Sequence, residues 1–386
     1  MNIRKLFTIL ATGVVSLTTI VCFAGERIWL DTKINGKPAK ICFDSASNVD
    51  ALGPDALQKF GLKFIPAPPN KLSRGIMPGD TEVCSVSLNG NNFRTSFVVL
   101  DVPDYARQDI DFDGLIGWCT LKQSVMQIDA VGRNVTLLPK VPRQVIQWNQ
   151  FSVITNFGIL EVEVPHSNGS NGIITIDTGN SCGMMLPPHK WEQWKKRHPR
   201  SPITLDTSYS PEGGFVVQEE TWADQIHIGS LVLTDVPIME EISSTAAATR
   251  WGAKHDGTLG LAGLSRLDVV VDGKNSIVYF RAKTTPPPVY SHNRLGAIFM
   301  PTTTHTNQAV AKVVTGSPAY EAGVRNGDVL LQVDEIPVIG WDANWRSRFY
   351  KPAGTKVNLI LQRDGTNFTT TATLRQILEP SVDKDK

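Results

Sequence analysis

The chain has 386 residues, two to three times a typical domain, so a single core is disfavoured and two or three domains are expected. Thirty-eight Lys and Arg against 37 Asp and Glu leave a net charge of +1, which offers no basic field for nucleic acid, and 41% hydrophobic content excludes an intrinsically disordered chain. Five cysteines are too few for a disulfide scaffold, and no C-x-x-C pair or H-E-x-x-H run supplies metal-ligand spacing, so neither a metal nor a cofactor is expected.

In chain order, residues 1–24 read as a secretory signal: Arg4 and Lys5, an apolar run from Leu6 to Phe23, and the small Ala24 before the cut. The alternative is an uncleaved anchor, and membrane association follows only in that case. A periplasmic or secreted location is expected. Cys42, Cys84, Cys119 and Cys182 then remain; they allow three pairings, and buried free thiols are equally ordinary. Beyond the signal, short runs bounded by Gly, Pro and Asn read as strands: Arg27–Leu30, Ala39–Phe43, Val83–Leu88, Arg94–Leu100, Val125–Asp129 and Val135–Leu138. Two short surface helices open near a proline, Pro54–Phe60 and Pro188–Arg197.

One stretch then repeats another. Phe43-Asp44-Ser45-Ala46-Ser47-Asn48 recurs as Ile176-Asp177-Thr178-Gly179-Asn180-Ser181, and Val86–Gly90 with Phe97–Leu100 recurs as Ile226–Gly229 with Val236–Met239. Asp113–Gly117 recurs as Asp256–Gly260, and Gln127–Leu137 as Val270–Tyr279. Four blocks in a conserved order are what a duplicated β-lobe leaves behind, so two equivalent lobes are expected, at 26–140 and 150–283. Each presents one Asp at the end of an apolar strand, followed by a hydroxyl residue. Facing each other, Asp44 and Asp177 would share a proton, one taking a proton from water while the other polarises a scissile carbonyl.

These residues resemble aspartic proteases of the retropepsin and pepsin type. The likeness rests on the paired motifs at Asp44 and Asp177 and on Leu115-Ile116-Gly117 and Thr258-Leu259-Gly260, which in that family brace the aspartate loops. It implies that Ser45 and Thr178 interlock between lobes, that Ser47 and Asn180 hydrogen-bond near the carboxylates, that Gly179 completes the second motif, and that hairpin flaps lie at Lys71–Thr81 and Tyr209–Val217. Ala46 departs from the family's Gly, which puts cleavage itself in doubt. Thr258 departs from an apolar bracing position.

Thr284–Pro288 reads as a stiff spacer opening the linker 284–289. Beyond it, Ser317–Asp334 resembles the signature of PDZ domains, especially those attached to secreted bacterial proteases. That likeness implies a domain at 290–378, a polar tail at 379–386, and a carboxylate-binding loop at Leu295-Gly296-Ala297-Ile298 whose N–H groups grip the C-terminus of a peptide or protein. An insertion at Thr302–Asn307 follows. The expected fold is mainly β: two pseudo-symmetric acid-protease-like β-barrel lobes, then a PDZ-like β domain with short helices. The expected function is an exported aspartic endopeptidase acting on polypeptide through Asp44 and Asp177. The alternative is a degenerate, non-cleaving protein that binds peptides through the C-terminal module.

Overall fold

The computed structural model describes residues 27–67, 78–101, 112–210, 214–241, 250–301, 308–339 and 343–379. The expected signal at 1–24, most of Lys71–Thr81 with Gly75, Gly213, the stretch Thr302–Asn307 and the tail beyond Glu379 lie outside the described residues.

The protein is mainly β. Both helices fall on their expected residues, Pro54–Phe60 and Pro188–Arg197, each with proline in its first turn. The proline supplies a helical φ and lacks an N–H that would have no partner there. The first helix stops at Gly61, whose left-handed φ of 67° lets its N–H close on Gln58 and Leu57 carbonyls. Val125–Asp129 is found as expected. The expected run Arg94–Leu100 is instead two strands. Asn91–Thr95 completes a hairpin with Cys84–Leu88, and Val98–Val99 lies parallel to Ala51–Leu52, so the chain changes partner at Ser96 and Phe97.

The ladders around the two aspartates follow one plan. Lys37–Asp44 pairs in parallel with Gly114–Gly117, Asp44 opposite Gly117, and Gly114–Gly117 pairs antiparallel with Ala51–Leu52. Asn171–Ile176 pairs in parallel with His255–Leu259, Ile176 opposite Leu259, and His255–Leu259 pairs antiparallel with Met184–Leu186. Antiparallel pairing of Val125–Asp129 with Leu267–Asp272 joins the two stretches, with Gln127 opposite Val270. They share one apolar core, in which Phe43, Ile116 and Met126 meet Ile176, Trp191 and Val271.

The C-terminal region is a separate six-stranded sheet with Ala297–Pro301 at one edge. Its own core contains Leu295, Phe299, Leu330, Trp345, Phe349 and Leu359. The Pro-rich spacer does not hold this sheet away from the rest: Leu100 and Phe215 pack against its core.

Candidate functional site

Asp44 and Asp177 end their strands on matching turns. Each carboxylate accepts a hydrogen bond from the N–H two residues on, Ala46 N to Asp44 Oδ1 and Gly179 N to Asp177 Oδ1, both at 2.9 Å. The two turns are then locked to each other. Ser45 N donates to Thr178 Oγ1 at 2.9 Å and Thr178 N to Ser45 Oγ at 3.0 Å. Each hydroxyl passes its own proton onward, Ser45 Oγ to Ile176 O at 2.6 Å and Thr178 Oγ1 to Phe43 O at 2.9 Å. All four residues are buried, so each unmade bond would leave a polar group without water. The Asp44 carboxyl lies over Gly179: a Cβ built there would stand 2.8 Å from Asp44 Cγ and Oδ2. Burial first, and then the charge of Asp44, hold the Asp177 carboxyl well above the ordinary carboxylate range, while the Gly179 N–H and Arg27 pull the other way.

Behind each turn a glycine allows close backbone approach. A Cβ at Gly117 would lie 2.6 Å from the carbonyls of Ser47 and Val49, and one at Gly260 would lie 2.6 Å from that of Cys182 and 2.9 Å from that of Asn180. Trp118 N then bonds Ser47 O, and Leu261 N bonds Asn180 O. Asp50 braces the first loop through Gly117 N and Thr120 Oγ1. The unexpected Thr258 donates its hydroxyl to buried Glu241, which also faces His255 Nε2 at 2.8 Å.

One expectation requires correction. Ser47 does not reach a carboxylate: its hydroxyl donates to Val49 O at 2.8 Å and accepts from Val49 N, closing its own turn. Asn180 directs Oδ1 to Cys182 N and Nδ2 to Met185 Sδ. None of Cys42, Cys84, Cys119 and Cys182 is in a disulfide, and burial pushes the thiols of Cys42 and Cys119 up to about 11.

In the C-terminal sheet, Gly296 takes a left-handed φ of 67°, and a Cβ there would lie 2.3 Å from the Ser317 side chain, so glycine is required for the fold itself. Two amides of the loop Leu295–Ile298 are already taken within the chain. Asn293 Oδ1 accepts from Leu295 N at 2.9 Å and from Gly296 N at 3.3 Å. Ile298 lies opposite Lys312 within the ladder to Ala309–Val313, and Ala297 is buried. Sequence reasoning missed Asn293, Arg27 and Tyr350, whose roles come from contacts across the chain. Only Asn293, two residues before the glycine loop, left a local signal.

A profile of the PDZ domain family matches residues 310–363, which takes in the helix Pro318–Glu321 and the strands Val329–Val333 and Lys356–Arg363. The match begins after Leu295–Ile298, so the placement of that loop rests on the structure. No curated protein matches the chain. Residues 310–363 form a PDZ domain, a module that binds peptides and protein C-termini.

Proposed function

We propose that the chain is an exported aspartic endopeptidase in which Asp44 and Asp177 hold a water between two lobes related by a pseudo-twofold axis. The observation that carries this reading is the reciprocal hydroxyl lock, in which Ser45 and Thr178 make the same pair of bonds to each other's turns. The register between Val125–Asp129 and Leu267–Asp272 supports it. Gln127 faces Val270, its counterpart in the sequence repeat, as a twofold axis through that pair requires. In this reading one carboxylate takes a proton from the water, while the other, kept protonated by burial and by its neighbour's charge, donates to the scissile carbonyl. The lock fixes the distance between the two groups, and the PDZ domain brings polypeptide to the cleft. Export to the periplasm or the medium completes the proposal and is checked by fractionating cells that express the full chain.

The test is cleavage of an unfolded polypeptide by Asp177→Asn and Asp44→Asn. Each is expected to lower turnover by about 10²–10⁴-fold with an unchanged far-ultraviolet circular dichroism spectrum. Turnover equal to that of the unaltered protein in both variants would exclude the dyad. A second reading, a non-cleaving protein whose function is peptide binding, is favoured by Ala46 and by the PDZ match alone.

A further inference from the structure

Among the described residues, the edge strand Ala297–Pro301 pairs on one side only, with Ala309–Val313. Val314 N donates to Gly296 O, which makes Ala297 and Val313 a non-hydrogen-bonded pair and turns the Ala297 N–H and C=O toward the open edge. That edge and the glycine loop beside it are where a PDZ domain adds a peptide strand. Here the chain itself supplies the matching groups. Asn293 Oδ1 takes the Leu295 and Gly296 amides, as a peptide carboxylate would. Asn293 Nδ2 donates to Ala297 O at 2.8 Å and to Leu205 O at 3.0 Å, and Thr204 Oγ1 donates to Asn293 O at 2.7 Å. Tyr350 OH donates to Asp206 Oδ1 at 2.8 Å. Residues Thr204, Leu205 and Asp206 therefore sit between the edge strand and the short helix that ends at Tyr350.

We propose that the peptide-accepting edge of the PDZ domain is occupied in cis by Thr204–Asp206, with Asn293 in the position of the ligand carboxylate, so that a polypeptide C-terminus binds only by displacing this segment. The segment opens the hairpin of Thr204–Ser210 and Gly214–Ile228. The same hairpin contains the flap candidate Tyr209–Val217 and leans on the PDZ core through Phe215. Binding of a C-terminus would thus free the hairpin. The occupancy stands without the protease reading; only its consequence for cleavage rests on that reading.

The experiment uses the full chain carrying Asp177→Asn, so that peptides are not cut, with and without Thr204→Val and Tyr350→Phe. The probe is a pool of ten-residue peptides ending in an apolar residue with a free carboxylate, compared with the same pool amidated. Removing the two hydroxyls is expected to tighten binding of the free-acid pool about tenfold and to speed amide hydrogen exchange in 204–228 about tenfold. Exchange in Lys356–Arg363 and Thr366–Thr373 should not change. Equal affinity with and without the two changes, equal affinity for the amidated pool, no binding by either protein, or unaltered hairpin exchange would each overturn the proposal. If the latch holds, the free-acid pool also accelerates polypeptide cleavage by the unaltered protein. Failure of that last result alone would count against the protease reading and leave the occupancy intact.

Discussion

At the scale of single residues, the consequential position is Ala46. A glycine is required for conformation only where φ is positive, and neither Ala46 nor Gly179 lies in that region. The constraint is proximity: at Gly179 the space a Cβ needs is filled by the Asp44 carboxyl, whereas at 46 a methyl group is present and fully buried. We expect Ala46→Gly to raise kcat for polypeptide cleavage by tenfold or more, on the order of the hundredfold that an ångström's displacement costs. An unchanged kcat would show that the methyl is accommodated. Thr178→Val removes the oxygen that serves Ser45 N and Phe43 O, leaving two buried groups without partners. It should cost roughly 2–4 kcal/mol, read as a lower urea midpoint at constant m-value. These two motifs were legible because each is a short local string. The destination of the Ser47 hydroxyl was not, because Val49 O competes for it only once the turn has formed.

At the scale of elements, the two parallel pairs decide where the aspartates stand. A parallel partner must be reached by a long connection, and Gly117 and Gly260 let the returning strand ends pass against the carbonyls of the aspartate loops. Gly117→Ala places a Cβ against two backbone oxygens, which cannot swing aside as a side-chain end can. The expected outcome is a loss of 1–3 kcal/mol, about the cost of overpacking, together with loss of cleavage. Thermal melting and a turnover assay on the same preparation check both. Helix bounds were readable because proline and helix formers act locally. The break in Arg94–Leu100 was hidden, since both halves of that run are β-forming and only the change of partner strand separates them.

At the scale of the whole molecule, burial raises the pKa of several acids. Asp177 and Glu220 are raised well above the usual range and Asp206 is raised, in each case chiefly by desolvation. An acid whose pKa is higher when folded binds more protons folded than unfolded. Stability is therefore full on the acid side and falls as pH rises from the ordinary carboxylate value through the raised one. Asp328, lowered through its hydrogen bonds to Arg363 and Arg325 N despite its burial, acts oppositely, and its stabilisation is lost only under acid conditions. The melting temperature should thus decline from mildly acidic pH toward neutral. The decline should be smaller in Asp206→Asn, because that site faces Glu220, Tyr290, Tyr350 and, beyond Tyr350, Arg346. A melting temperature that rises toward neutral pH would contradict this account. If the proposed dyad acts, cleavage declines over the same range, since the pair must keep one proton.

The mainly β character, the two short helices, the repeated aspartate turns and the PDZ signature were present in the amino-acid string because each depends on neighbouring residues or on a periodic pattern. The hydroxyl lock was anticipated only through family resemblance, and its four bonds span more than 130 residues. The bonds of Asn293 to Leu205 and Thr204, and the seating of Thr204–Asp206 beside Ala297 and Tyr350, emerged only once the chain was folded. No local pattern encodes which distant carbonyl or hydroxyl a buried donor meets; packing makes that choice, because a donor sealed from water must take whichever acceptor the surrounding elements deliver.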